Sequence, residues 1–242
     1  MFDFFKKSFI GAGMLQGFTD VHCHILPGVD DGVQTMKSAL RTLNFYEQNG
    51  VKRVFFTPHV AEELHENSAD RLRERFEELQ NTYQGKLQLG LGAEYMLDRG
   101  FDALLDRKEK FLCASGHLIL VETTAMQAPI DFKQILFDLQ ERGYDVMLAH
   151  PERYLYMSHS DYGELRLHKI RLQMNLLSIA GVYGHHAKEN AEWLLSHDMY
   201  TYMGSDLHNV DFHGHKMNEK KFTSLQIYKM KKLIANNNGL KL

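Results

Sequence analysis

The sequence has few of the features that mark secreted scaffolds, membrane proteins or nucleic-acid-binding proteins. Only two cysteines occur in 242 residues, too few for the disulfide framework of a small secreted domain, so a reducing cytoplasm is expected. Lys and Arg total 28 against 31 Asp and Glu, with no basic stripe, which argues against nucleic acid as a partner. The composition, 44% hydrophobic and 24% charged, is that of an ordinary globular protein, and no transmembrane segment is predicted.

Signals of a break between domains are also missing. There are only four prolines and no linker-like, repeated or low-complexity stretch, so residues 17–242 are predicted to form a single domain. The apolar stretch within residues 1–16 is short and is broken by Gly11 and Gly13, which argues against a signal peptide. We expect a frayed N-terminal arm there, with a weak peripheral contact to a membrane surface or a partner as the alternative.

The chain alternates between strand-like and helix-like segments. Thr35–Asn49 and Ser68–Gln84 begin at capping hydroxyls and carry apolar residues at helical spacing. This alternation predicts an α/β fold with a parallel sheet, and at this length a closed or nearly closed barrel is favoured. No G-x-G-x-x-G follows the first strand, so a dinucleotide site has no support. The predicted strands are Gly17–Val21, Val51–Thr57, Leu87–Ala93, His117–Val121, Asp145–Ala149, Leu172–Asn175 and Tyr200–Gly204.

Histidine is abundant, with 14 residues, and two of them follow the first predicted strand. The motif reads Asp20-Val-His22-Cys-His24, and because side chains alternate along a strand, both imidazoles lie on one face. By itself, this motif is equally consistent with a metal site and with two hydrogen-bonded surface histidines.

Most later strands are followed, at or just past their carboxyl ends, by a residue that can bind a metal. In a β/α barrel these ends meet at one mouth, so residues far apart in sequence become neighbours. Each residue could instead be a capping or hydrogen-bonded group, but such an alignment of all of them by chance is not expected. The predicted metal ligands are His22, His24, His59, Glu94, Glu122, His150, Asp206 and His208.

Eight ligands exceed the needs of one tetrahedral ion, so two or more cations are predicted. Imidazole and carboxylate ligands without thiolate suit Mn, Fe or Zn. Three carboxylates offset only half the charge of three divalent cations, and the remaining positive charge would attract a phosphate dianion. The site therefore predicts phosphoester hydrolysis.

The motif His150-Pro-Glu-Arg-Tyr154 places an arginine just beyond one predicted ligand. Arg153 could grip phosphate oxygens through two parallel hydrogen bonds. A surface ion pair with Glu152 or a neighbour is an equally good interpretation. Two polar residues near the end of the sixth strand are predicted either to line the mouth or to anchor a loop: Gln173 and Asn175.

Together, the D-x-H-x-H motif, the single ligands at later strand ends and the terminal Asp206-Leu-His208 resemble the PHP (polymerase and histidinol phosphatase) superfamily. Leu26-Pro-Gly-Val-Asp-Asp-Gly32 and the His150–Tyr154 motif are similar to those of its capsule and exopolysaccharide branch, the bacterial manganese-dependent protein-tyrosine phosphatases.

The resemblance implies a distorted seven-stranded β/α barrel with a trinuclear centre, manganese by preference, on the same eight ligands. It implies phosphotyrosine on a bacterial tyrosine kinase of polysaccharide assembly as the substrate. It further implies that Asp20 orients a ligand, that Asp31 lines the site or shapes its turn, and that Arg153 binds phosphate.

The expected reaction is attack on phosphorus by a hydroxide formed where the cations lower the pKa of a bound water. A cysteine nucleophile is not expected, because that chemistry needs an arginine six residues further on. Val29 follows Cys23 at that spacing, and Ile119 follows Cys113. Both cysteines are therefore predicted to be packing residues.

Members of this branch tend to have a second arginine after the D-x-H motif, and this chain departs from that pattern. This chain has no arginine after Arg171. His213, His215 or Lys216 could supply the anion contact or a proton, although a solvated loop is the alternative.

Three other functions stay open at this stage. A small-molecule phosphatase of the histidinol-phosphate type would share the metal site. A metal-dependent amidohydrolase also begins with H-x-H, although the acids and the terminal D-x-H fit it less well. A regulator could bind a phosphopeptide without cleaving it, which the missing arginine favours.

Overall fold

Strands and helices alternate along nearly the whole chain. The structure is a computed structural model and describes residues 6–107 and 109–242. Within these ranges the elements are β1 (Thr19–Asp20), α1 (Met36–Gln48), β2 (Arg53–Phe56), β3 (His59–Val60), α2 (Ala69–Thr82), β4 (Gln88–Leu91), β5 (Glu94–Met96), α3 (Arg99–Asp106), β6 (Leu118–Glu122), α4 (Phe132–Glu141), β7 (Asp145–Ala149), α5 (His159–Leu167), β8 (Arg171–Asn175), α6 (Gly184–Ser196), β9 (Tyr200–Gly204), α7 (Val210–Asn218) and α8 (Ser224–Asn238).

The strands pair in parallel in two sheets, which confirms the predicted α/β fold. The order is β1-β2-β4 in one sheet and β3-β5-β6-β7-β8-β9 in the other, so the described strands do not form one closed barrel. The predicted runs Val51–Thr57 and Leu87–Ala93 contain β2 and β4, whereas β3 and β5 lie outside the predicted runs and follow breaks at Thr57-Pro58 and at Gly92-Ala93. Pro58 has no amide hydrogen to give to a strand ladder, which accounts for the first break.

The first strand is shorter than the predicted run Gly17–Val21, because the chain changes partner after two residues. The amide of Asp206 donates to the carbonyl of His22 at 2.8 Å, and the amide of His24 donates to the carbonyl of Leu207 at 3.0 Å. These two hydrogen bonds join the motif Asp20–His24 to the motif Asp206–His208.

The two helices predicted in detail are confirmed. Thr35 caps α1 by accepting a hydrogen bond from the amide of Ser38, and Ser68 caps α2 by accepting one from the amide of Arg71. The buried side of α1 includes Leu43 and its polar side faces outward, as in other helices that cover a sheet. Within the described ranges, no helix has the length and apolar character needed to cross a bilayer.

The N-terminal segment packs against the domain where the structure describes it. In residues 6–16, Phe9 and Leu15 are almost completely buried, and the ring of Phe9 lies 5.9 Å from that of Phe222. The expectation of a frayed arm is therefore wrong for these residues, because burial of their apolar side chains offsets the entropy lost on ordering them. The part of the prediction that falls on residues 1–5 lies outside the described residues.

Candidate metal centre

The carboxyl ends of the parallel strands bring the eight predicted ligands together. Donor atoms within each of four overlapping groups lie within 4.8 Å of one another. The groups are His22, His24 and Asp206; His22, Glu94 and His150; His59, Glu94 and Glu122; and His24, Asp31, His59 and His208.

Two of these residues adopt backbone angles that are uncommon outside glycine. His150, directly after β7, has a φ of 31°, and Asp206, two residues after β9, has a φ of 52°. Each residue turns the chain sharply at a strand end. The cost of a left-handed residue is typically about 1–3 kcal/mol, and such residues often occur at functional sites.

Glu94 lies at the centre of the cluster and is completely buried. Its Oε2 atom is 3.0 Å from His22 Nε2 and 3.3 Å from His24 Nε2, and its Oε1 atom is 3.1 Å from His150 Nε2. Both oxygens of one carboxylate therefore contact imidazoles from different strand ends. This arrangement lets one acid contribute to two neighbouring cation positions.

The outer part of the cluster is formed by His59, Glu122, His208 and Asp31. His59 Nδ1 lies 2.9 Å from Glu122 Oε1, which is buried and accepts no hydrogen bond from the described residues. The Asp31 carboxylate is mostly exposed and lies 3.5 Å from His59 Nε2 and 3.4 Å from His208 Nε2. A divalent cation would satisfy these converging donors, and their imidazole and carboxylate chemistry fits Mn, Fe or Zn.

The charges of the cluster depend on one another. Burial alone would lower the pKa of His22, but Glu94 and Asp206 raise it to about 9. Burial alone would raise the pKa of Glu94, but His22 and His150 hold it well below its usual range. Glu94 is therefore kept ionised as a potential ligand.

Two histidines are oriented by hydrogen bonds to their second ring nitrogen. His22 Nδ1 lies 2.9 Å from Gln173 Oε1, and His24 Nδ1 lies 2.9 Å from Asp30 Oδ2. Asp30 also accepts a hydrogen bond from the amide of His59 at 3.1 Å. Sequence reasoning missed Asp30, and its adjacency to Asp31 in the Asp-Asp-Gly turn was the available signal. Such contacts fix the orientation of metal-binding imidazoles.

Asp20 holds the backbone of the site and does not contact a ligand ring. Its carboxylate accepts hydrogen bonds from the amide and hydroxyl of Ser205, at 2.9 and 2.6 Å, from the Tyr46 hydroxyl at 2.6 Å and from the His22 amide at 3.4 Å. Burial raises the pKa of Asp20 above its usual value, although these hydrogen bonds act to lower it. Because Asp20 ends β1 and Ser205 follows β9, the bonds between them tie β1 to the segment after β9.

Arg153 pairs with Asp206 and not with Glu152. Its Nη1 atom donates to Asp206 Oδ2 at 3.0 Å, and Asn175 Nδ2 donates to the same oxygen at 2.7 Å. Glu152 turns into the protein, where its carboxylate accepts hydrogen bonds from the Asn175 amide and the Tyr200 hydroxyl, both at 2.9 Å. The surface ion pair with Glu152, weighed from the sequence, is thus not formed.

A cavity of about 430 Å³ opens onto the cluster. Its wall combines charged groups with apolar side chains. The acids, histidines and arginine that line it are Asp31, His59, Glu63, Glu122, His150 and Arg153, and the apolar residues include Ala61, Leu64, Met96 and Ala125.

The residues considered as substitutes for a second arginine do not line this cavity in the described part of the chain. The segment after Asn209 is helix α7 and not an open loop. His213 is buried, its Nδ1 lies 2.9 Å from the Asn209 carbonyl, and burial lowers its pKa. His215 and Lys216 lie 3.6 and 2.7 Å from Glu219. None of the three is therefore placed to contact a phosphate in this cavity.

Neither cysteine forms a disulfide. The thiol of Cys23 is buried and donates to the Phe55 carbonyl at 3.5 Å, on the side of the strand away from the imidazoles. Cys113 is half-buried, and burial raises the pKa of both thiols. Thiols with raised pKa values are poor nucleophiles at neutral pH.

Comparison with known proteins identifies the family. A family model described as "Capsular polysaccharide synthesis, CpsB/CapC" matches residues 18–237. The chain belongs to the CpsB/CapC family. The resemblance to the capsule and exopolysaccharide branch is thus confirmed.

Relatives within this family are named as tyrosine phosphatases. The tyrosine-protein phosphatase YwqE of Bacillus subtilis is 26% identical over 198 residues, 79% of this chain and 77% of that protein. The tyrosine-protein phosphatase CpsB of Streptococcus pneumoniae is 23% identical over 210 residues, 79% of this chain and 83% of that protein. A crystal structure from work on these two metal-dependent tyrosine phosphatases has a TM-score of 0.74 and 26% identity, covering 90% of this chain and 94% of that chain.

More distant structures share the fold alone. A phosphotriesterase homology protein from Escherichia coli has a TM-score of 0.56 at 12% identity, covering 93% of this chain and 98% of that chain. Identity this low carries no information about activity.

Proposed function

We propose that this chain is a metal-dependent protein-tyrosine phosphatase. The observation that carries the proposal is the meeting of eight imidazole and carboxylate residues in overlapping donor groups beside one guanidinium, that of Arg153. Three of them, His59, Glu122 and His150, line the same cavity as Arg153. Metal ligands and a phosphate-binding cation are the two components that phosphoryl transfer requires.

The cluster would hold two or three divalent cations, manganese by preference, with iron or zinc as alternatives. Glu94 and His22 each belong to two of the donor groups, which supports neighbouring ions that share ligands. The proposed ligands are the eight predicted from the sequence, with Asp31 close enough to join His59 and His208.

When bound, the cations supply the Lewis acidity that activates water and offsets charge on the phosphoryl group. Arg153 binds the phosphoryl oxygens through guanidinium donors that do not bond Asp206. Asp206 orients this guanidinium through Oδ2, while its Oδ1 lies 3.3 Å from His24 Nε2. No step needs a covalent bond to the protein.

The cavity wall favours an aryl phosphate over a small polar one. Leu64 and Met96 supply apolar surface against which a tyrosyl ring can pack. A phosphotyrosine-bearing protein is therefore the proposed substrate. The family's link to capsular polysaccharide synthesis supports a cytoplasmic tyrosine kinase of that process as the partner.

The proposed scaffold is one domain, residues 17–242, built as an interrupted and distorted seven-stranded barrel. Counting β2 with β3 and β4 with β5 reduces nine strands to seven. Support comes from hydrogen bonds across the breaks, from the amide of Gly92 to the carbonyl of Phe56 and from the amide of Glu94 to the carbonyl of Pro58. A parallel bridge between Cys23 and Leu207 supports contact between the first and last strands.

Chelation followed by metal return tests the proposal. The metal-loaded protein is expected to release phosphate from a phosphotyrosyl peptide, to lose this activity on chelation and to regain it with Mn²⁺. The double variant His22→Ala with His24→Ala should be inactive. His117→Ala with His168→Ala, which removes two exposed histidines outside the cluster, should match the wild type.

Activity that survives exhaustive chelation would defeat the metal-dependent mechanism. A higher kcat/KM for histidinol phosphate than for the phosphotyrosyl peptide would instead favour the small-molecule phosphatase. Tight phosphopeptide binding without phosphate release would favour a regulator.

A further inference from the structure

Arg153 is the only lysine or arginine among the described residues that line the cavity. Among these residues, the contribution of a positively charged side chain to phosphate binding therefore depends on the orientation of a single guanidinium. A free arginine side chain would lose much rotamer entropy on binding an anion, so an arginine already held in place binds better.

Two contacts hold this guanidinium, a hydrogen bond to a carboxylate and a contact with an aromatic ring. Nη1 donates to Asp206 Oδ2 at 3.0 Å. The central guanidinium carbon lies over the ring of Tyr183, 4.6 Å from its centroid and within the range of a cation–π contact. Within the described ranges, the side chain of Arg153 makes no hydrogen bond other than the one to Asp206.

We propose that Tyr183 is a positioning residue for phosphate binding, acting through Arg153. The inference rests on the proposed phosphatase function. Because Asp206 is the one hydrogen-bond acceptor of this side chain among the described residues, the contact with the Tyr183 ring leaves its other N–H groups for phosphate oxygens. A second carboxylate at this position would hold the arginine equally well but would repel the phosphate, whereas the tyrosine ring adds no charge.

Two glycines and two backbone hydrogen bonds shape the loop that carries Tyr183. Gly181 and Gly184 flank it with φ angles of 82° and 91°, which other residues rarely adopt. The amide of Val182 donates to the carbonyl of Leu177, and the amide of Gly184 donates to that of Gly181, both at 3.4 Å.

The same strand end controls both contacts of Arg153. This loop follows directly from Asn175 at the end of β8, and the Asn175 side chain holds the Asp206 oxygen that Arg153 contacts. Movement of β8 would therefore displace the Asp206 contact and the Tyr183 contact together.

Phosphate titration of the metal-loaded protein tests the inference. Tyr183→Leu removes the ring and is expected to weaken the binding of inorganic phosphate by about three- to thirtyfold. It should raise KM for a phosphotyrosyl peptide more than it lowers kcat. Tyr183→Phe keeps the ring and should restore wild-type affinity. Tyr144→Leu, at another half-buried tyrosine away from Arg153, is the matched control and should bind phosphate normally.

A double-mutant cycle separates positioning from a general structural effect. In the Arg153→Ala background, Tyr183→Leu should cause no further loss of phosphate affinity. A further loss as large as in the wild type would overturn the inference, as would unchanged affinity in Tyr183→Leu alone. Equal losses in Tyr183→Phe and Tyr183→Leu would assign the effect to the hydroxyl and also overturn it.

Two measurements keep these results interpretable. Thermal unfolding identifies a variant that fails to fold, and Tyr183→Met, of similar bulk, then replaces Tyr183→Leu under the same criteria. Failure of the proposed function has a different outcome: the wild type would not cleave phosphotyrosine, although the variants would still differ in phosphate affinity.

Discussion

At the scale of single residues, the site depends on groups that aim the donors as much as on the donors themselves. His22 and His24 could be recognised from their spacing, because alternation along a strand puts both on one face. The residues that orient these two rings could not be recognised in this way. Gln173 lies 151 residues from His22 along the chain, and sequence reasoning placed it only near the mouth.

Replacement of Gln173 should therefore weaken metal binding without removing a ligand. Gln173→Leu deletes the acceptor for His22 Nδ1 and is expected to lower Mn²⁺ affinity by about ten- to a hundredfold. Gln173→Glu keeps an acceptor there and should retain most of the affinity. Calorimetric titration of the metal-free protein with Mn²⁺ provides the measurement.

Gln134→Leu, at an exposed glutamine that bonds only Asp138 among the described residues, serves as the control. Equal Mn²⁺ affinity in Gln173→Leu and the wild type would show that His22 needs no orienting partner.

At the scale of elements, the sequence indicated the longer strands but not β3 and β5. β7 and β9 have the predicted bounds, since both are mostly apolar runs between helices. β3 and β5 lie beyond the ends of the second and third predicted runs, because strands of two or three residues are too short to show a periodicity. Helix α7 was missed because its short polar sequence lacks an apolar stripe, and its geometry turns His215 away from the cavity.

Helix α8 closes the fold through one buried side chain. Asn237 Nδ2 donates to the carbonyls of Thr19 and Met203, at 2.8 and 2.6 Å, and its Oδ1 accepts from the Met203 amide at 3.2 Å. These bonds join α8 to β1 and β9. Burial of an amide is tolerated only when its polar atoms are paired in this way.

Asn237→Ala should consequently lower the free energy of unfolding by about 1–3 kcal/mol, because buried backbone groups of Thr19 and Met203 lose their partner. Urea unfolding monitored by circular dichroism measures this change. The neighbouring Asn236→Ala removes a bond from an exposed asparagine to the Thr201 carbonyl, and its effect should stay within about 0.5 kcal/mol. Similar values for the two variants would contradict this role for Asn237.

At the scale of the whole molecule, topology explains why the ligands could be found from the sequence. Parallel strands end on the same side, so a donor just past each strand end reaches the common site whatever its distance along the chain. The role of Arg153 was harder to predict, because its partners lie in segments that follow two other strands. Tyr183 is in the loop after β8, and Asp206 follows β9. The packing of residues 6–16 was mispredicted for a similar reason, since their partners lie beyond residue 216.

The number of divalent ions bound per chain tests the central claim most directly. Elemental analysis after loading with Mn²⁺ and dialysis should find two or three ions in the wild type. Glu94→Gln should bind at least one fewer, because Glu94 belongs to two donor groups. Glu63→Gln, which changes an exposed acid at the cavity wall, should bind as many as the wild type. One ion or none in the wild type would contradict the account.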